Sequence, residues 1–241
     1  DWFKLREARL QLLPYQHPRM EMAVACAITP TGPVTAGRLG LGMLSLASSS
    51  SIGFTALGEH WGVHEEAATA AGKVATRDSW RVVVNMHLAE TREQARADLE
   101  WGIMDLLGYI RGVTGEHTDK LIGGIETPRQ AVDLLTSTGI GIFGIAQAGT
   151  PDDIIAYIER LQEQSGGFGC VMFLAHNCPS FEAQKKSYEL FARYVIPHFR
   201  KKNASRENSL EWTHGNSGKT WGATISAMQS AIASKGLHGA S

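Results

Sequence analysis

The stretch from Ala25 to Gly42, "ACAITPTGPVTAGRLGLG", holds the transition on which the fold turns. An apolar run ending at Ile28 stops at two threonines, two prolines and a glycine, and a helix-compatible segment follows at once. A buried strand feeding directly into a helix opens a strand–helix–strand unit. Pro30 and Pro33 fix the shape of the turn, and each removes one backbone donor. Thr29, Thr31 and Gly32 place hydroxyls and N–H groups at the helix start, where the dipole favours negative charge. Two readings stay open here: a plain start with Thr31 as the cap, or a cradle for an anion. Caps are the commoner of the two.

Working outward, the alternation repeats. "MEMAVACAI" (20–28), "GMLSLA" (42–47), "WRVVVNMHLAE" (80–90) and "FGCVMFLAHN" (168–177) read as strands, the third being rich in β-branched residues. Helices are expected over 33–40, 54–72, 92–110, 128–137, 151–165 and 181–199. Thr91 with Gln94 forms a capping-box pattern, and Thr150 with Pro151 and two acids opens the next clear helix. Residues 111–126 are glycine-rich and aperiodic, the pattern of a mobile loop. "GIGIFGIAQAG" (139–149) reads equally as a short strand or a loop, and 1–15 as a β-hairpin arm. Strands separated by helices point to a parallel sheet with helical crossovers. An open dinucleotide-binding sheet is the competitor, but no G-x-G-x-x-G follows any strand. Four clear strands are half of what a (β/α)₈ barrel needs.

The composition is that of an ordinary globular chain: 241 residues, 43% hydrophobic, 20% charged, net charge −1. Such a balance gives no electrostatic case for nucleic acid or an anionic membrane surface. No apolar run approaches the ~20 residues of a bilayer span. The N-terminus has no signal-peptide pattern, and three cysteines without metal spacing argue against a disulfide framework, so a cytoplasmic setting is expected. The chain starts at Asp1, mid-pattern, and is expected to be a fragment.

The candidate site residues lie where strands end. Asn85 and His87 alternate on one strand and share a face, as either site residues or a satisfied interior pair. His176 and Asn177 end the last strand, where a histidine can serve as acid or base and where Asn with Cys178-Pro179 also reads as a turn. Ser48 to Ser51 read as a solvated loop. His60 and His64 are spaced for a metal, but no third ligand is near, so they read as part of an outer helix and no metal is expected. Cys26 and Cys170 read as inert core residues, and "GTPDD" as a helix cap, since its acids would repel phosphate.

Five segments, "DWFKLREARLQLLPYQHP", "AGRLGLGMLSL", "WRVVVNMHLAETREQAR", "GTPDDIIAYIERLQEQSGGFG" and "KKSYELFARYVIPHF", together resemble the bacterial-luciferase-like flavin monooxygenases, within them the limonene-hydroxylase-like branch. The resemblance implies an α/β chain forming the C-terminal half of a (β/α)₈ TIM barrel, strands five to eight, over 1–200. A tail with a helix follows over 201–241. It also implies an oxidoreductase using reduced FMN from a separate flavin reductase, together with oxygen, on a small apolar substrate such as a terpene or aldehyde. Thr29, Thr31 and Gly32 become flavin-phosphate contacts, and Asn85 a cofactor-binding residue. His87 and His176 are weak catalytic candidates, because the family's catalytic histidine belongs to the N-terminal half. A homo-oligomer is expected. The alternatives are an F420-dependent oxidoreductase on the same barrel, or a non-catalytic flavin-binding or half-barrel association module.

Overall fold

The computed structural model describes residues 3–9, 11–17, 19–46, 48–115, 122–139, 144–200 and 204–234, with side chains described throughout except at 204–207 and 220. It divides into a unit of Asp1–Phe191 and a unit of Ala192–Ser241.

In the first unit, β1 (Ala23–Cys26), β2 (Gly42–Ser45), β3 (Arg81–Val84) and β6 (Cys170–Phe173) form one sheet in the order β1-β2-β3-β6, every pair parallel. The connections carry α1 (Thr31–Leu39) between β1 and β2, and α2 (Ser51–Ala70) between β2 and β3. The register sets Cys26, Ser45, Val82 and Val171 in one row across the sheet. Cys26, Ser45 and Val82 of that row are fully buried. The neighbouring row, Ala25, Leu44, Arg81 and Cys170, points the other way and is half-buried or exposed. Alternate residues of a strand face opposite sides, so helices cover one face of this sheet and leave the other open. That is the layout of half a (β/α)₈ barrel, whose inner face is completed by further strands.

Packing on the covered face needs close approach. A Cβ on Gly37 of α1 would stand 2.4 Å from the His64 carbonyl oxygen of α2, so only glycine lets these helices meet. Trp80 is fully buried and donates its indole N–H to Ser45 Oγ at 2.9 Å.

Several expectations are corrected. The described residues before β1 contain no strand, so the hairpin arm expected over 1–15 is not found among them; Phe3, Leu12, Leu13 and Tyr15 are exposed there. The strand expected over 80–90 breaks at Asn85. Beyond it, β4 (Met86–Leu88) pairs in parallel with β5 (Gln147–Gly149) in a separate two-stranded sheet. The ambiguous segment before Thr150 therefore supplies a strand, with 140–143 outside the described residues. The helix expected over 92–110 is two, α3 (Arg92–Glu100) and α4 (Ile103–Thr114), divided at Trp101-Gly102. Most of the glycine-rich segment's centre, 116–121, also lies outside the described residues. Leu99, Ile103, Leu107 and Ile110 of α3 and α4 join Val132 and Leu135 of α5 (Pro128–Ser137) in a second core.

α6 (Pro151–Ser165) has the start that was expected. Thr150 and Asp153 form a reciprocal capping box, Pro151 takes the first position, and Gly166 closes the helix at φ 71°. α7 (Phe181–Leu190) follows β6, and its Tyr188 meets Phe173 edge to face. The second unit carries α8 (Ile196–Arg200) and α9 (Ala204–Ser234), the latter being the helix expected in the tail.

Candidate functional site

Barrel-type sites form at the C-terminal ends of parallel strands, from the loops that lead into helices. The loop after β1 enters α1 through Pro30, whose φ and ψ of −69° and −8° are already helical. No side chain caps α1, and its first turn carries no acid. Thr31 therefore is not the cap that one reading allowed. It is the first helical residue, with the exposed Thr29 just before it. Val34 N–H donates to the Pro30 carbonyl at 3.0 Å, and Pro33 has no N–H to offer. The amides of Thr31 and Gly32 are thus left to an uncapped, positively polarised helix end. Gly32 cannot be replaced without a shift: a Cβ would lie 2.8 Å from the Ala25 oxygen and 2.9 Å from Cys26 Sγ.

Beneath this loop lie His60 and His64, both buried on the inner side of α2. Burial lowers both pKa values, so both imidazoles are neutral. His60 lies beside the Ile28 backbone and His64 beside that of Pro33. Neither ring nitrogen of His60 has a well-formed hydrogen bond. The outer-helix reading of this pair is therefore corrected: they support the loop from below. Among the described residues no group of three candidate ligands gathers for a metal.

The second cluster sits where β3 gives way to β4. Asn85, His87 and His176, separated by up to 91 residues, come together. Asn85 Oδ1 meets His176 Nε2 at 2.9 Å, while the Cys178 N–H donates to His176 Nδ1 at 3.2 Å. The second contact makes Nδ1 the acceptor, so Nε2 carries the proton and donates to Asn85. Burial, then the neighbouring His87, pushes the His176 pKa down to about 4. With both nitrogens engaged, His176 is a neutral structural partner here, not a free acid or base. His87, almost wholly buried, contacts Asp98 Oδ2 of α3 through Nε2 at 2.9 Å. Its Nδ1 and the Asn85 Nδ2 are buried without partners.

Asp98 went unnoticed in the sequence. The available signal was its place between Ala95 and Leu99, which are buried on α3. The serine loop is corrected too: Ser48 is buried and donates to the Val83 carbonyl at 2.9 Å, and Ser50 caps α2. Cys26 is buried, as expected, and its thiol pKa is pushed up to about 11 by burial. Cys170 is exposed, because β6 is an edge strand whose outer row lacks helix cover. Asp153 completes the "GTPDD" cap and pairs with Arg92 through both carboxylate oxygens at 2.9 and 2.5 Å, which holds its pKa far below the usual carboxylate range.

No family model matches the chain. It is 38% identical over 204 residues to a limonene 1,2-monooxygenase of Rhodococcus erythropolis, covering 83% of this chain and 48% of that protein. It is 32% identical over 201 residues to a 4-hydroxyprotoasukamycin monooxygenase of Streptomyces nodosus subsp. asukaensis, covering 83% of this chain and 52% of that protein. The chain thus spans about half the length of the curated relatives it matches. Its fold is similar to a monooxygenase of Streptomyces bottropensis, with TM-score 0.54, 24% identity, and 77% of this chain and 50% of that one covered. It is equally similar to the oxygenating constituent of the 3,6-diketocamphane monooxygenase of Pseudomonas putida, solved with FMN: TM-score 0.54, 24% identity, 74% and 49% covered.

Proposed function

The chain belongs to the luciferase-like flavin-dependent monooxygenases, and from that premise we propose that it supplies the phosphate end of a reduced-FMN site in an oxygenase of small apolar substrates. The observation that carries this reading is the uncapped start of α1 directly after β1, with Gly32 fitted against the strand. The amides of Thr31 and Gly32 and the hydroxyls of Thr29 and Thr31 hold the phosphate without a cationic side chain. Pro30 and Pro33 preset the loop, so little ordering entropy is lost on binding. His60 and His64, neutral and buried, keep the loop backbone in place.

Bound reduced flavin supplies the electron pair with which one oxygen atom of O₂ goes to substrate and the other to water. The chain's own part is to bind, orient and exclude water. Asn85, His87 and Asp98 form a polar wall at the strand ends, with Asn85 offering its buried amide N–H. A flavin reductase and oxygen are the partners, a terpene or aldehyde the substrate type, and the cytoplasm the setting.

Titration of the purified protein with FMN and riboflavin tests the phosphate site. FMN is expected to bind at least about tenfold tighter, a difference of about 1.4 kcal/mol, and Gly32→Ala to abolish that difference. Equal affinity for the two flavins overturns the site. Turnover with a reductase, NADH and a terpene panel tests the reaction: an oxygenated product supports it, and peroxide alone with every substrate overturns it. Tight F420 binding with negligible FMN binding replaces oxygenation with hydride transfer.

A further inference from the structure

We propose that Asp98 is a positioning residue: it holds His87 in the tautomer that leaves Nδ1 bare, a proton acceptor built in where β3 gives way to β4. Asp98 stands on α3 and reaches the His87 ring on β4, so the pair ties helix to strand.

Asp98 is itself held. Gln94, one turn earlier on the same helix, donates from Nε2 to Asp98 Oδ1 at 2.6 Å, and the Gln94 amide is fixed in turn by the Thr91 cap. The other carboxylate oxygen, Oδ2, meets His87 Nε2 at 2.9 Å. A carboxylate only accepts, so Nε2 carries the proton. The His87 side chain is 1% exposed, and its Nδ1 has no partner among the described residues. A second proton there would add a buried charge and a donor with nothing to receive it. Nδ1 therefore stays bare.

Stability alone does not account for this arrangement. His87 lies between Met86 and Leu88, both buried, where an apolar side chain would leave no polar atom orphaned. The pair instead leaves two, His87 Nδ1 and the nearby Asn85 Nδ2. A carboxylate that grips one imidazole nitrogen and leaves the other bare is the arrangement of a general base. The bare nitrogen takes up a proton released by a hydroxyl or water, and the carboxylate stabilises the imidazolium so formed. His176, with both nitrogens engaged, cannot do this. The use of Nδ1 in catalysis rests on the oxygenase reading proposed above; the tautomer does not.

Long-range proton–nitrogen NMR spectra of the full chain, labelled at its histidine nitrogens and taken near neutral pH, read the tautomer directly. His87 is expected to show Nε2–H and a bare Nδ1. Asp98→Asn, which can donate as well as accept, should raise its ratio of Nδ1–H to Nε2–H at least about tenfold. His176, tied to other partners, should keep its own tautomer and reports on the integrity of the fold. Native His87 protonated at Nδ1, alone or together with Nε2, overturns the proposal, and so does a ratio that Asp98→Asn leaves unchanged. Where Asp98→Asn does not fold, the native spectrum decides. With a reductase, NADH and the terpene panel, kcat of the variant should fall at least about tenfold while FMN binding is retained. A native kcat with a reversed tautomer overturns the role of Nδ1 as the base. Absence of product from the native chain strikes the oxygenase reading and leaves the tautomer to its spectrum.

Discussion

His176 is held in one tautomer, because Cys178 N–H donates to Nδ1 and Asn85 Oδ1 receives Nε2–H. A proton on Nδ1 would break the first contact and place a charge in a buried site. The folded pKa is about 4, below the ordinary value of 6.5. The unfolded chain therefore binds the proton first, and stability falls as pH drops from about 6.5 to about 4. The full loss is of order 3 kcal/mol, at about 1.4 kcal/mol per unit. His60 and His64 act in the same direction. Urea unfolding at pH 7 and pH 4.5 checks this: His176→Gln should lose about 2 kcal/mol less than the parent protein. An unchanged pH slope would remove His176 from the account. At this scale the sequence was legible only in part. The alternation of Asn85 and His87 could be read along the strand. Their links to His176, 91 residues from Asn85, and to Asp98 depend on tertiary placement that no local pattern carries.

Among the elements, α6 is the one written most plainly in its own residues. Thr150 and Asp153 each satisfy an orphan amide of the other's turn, and Asp153 also ties the helix start to Arg92 of α3. Thr150→Ala should cost about 1 kcal/mol, within the usual range for losing an N-cap. Arg92→Ala, an exposed partner, should cost less than that. Chemical denaturation of the two variants measures both, and an equal or larger loss at Arg92 would invert the ranking. The splits at Asn85 and at Trp101-Gly102 were not readable, because propensity there favours continuity. The strand breaks where it changes partner, with Val84 O accepting from Leu174 and Asn85 O from Gln147. The helix breaks where Gly102 runs close under the Asn177 carbonyl, with room for no Cβ.

On the scale of the whole molecule, strand–helix alternation was enough to read a parallel sheet, and the observed order β1-β2-β3-β6 follows it. The inner cluster at β4 and β5 was harder to read, since three-residue strands leave almost no period to detect. The open face of the sheet has one further use. Cys26 and Cys178 are buried, with thiol pKa values pushed up to about 11 and about 12. Both are poor nucleophiles near neutral pH. Cys170 alone of the three cysteines is exposed, at the sheet's outer edge. The native protein should thus take up one equivalent of a maleimide quickly and two more only on unfolding, as mass spectrometry can count. The chain so carries its own gauge of concealment: whatever comes to lie over that edge slows a single, stoichiometric reaction at a thiol already in place.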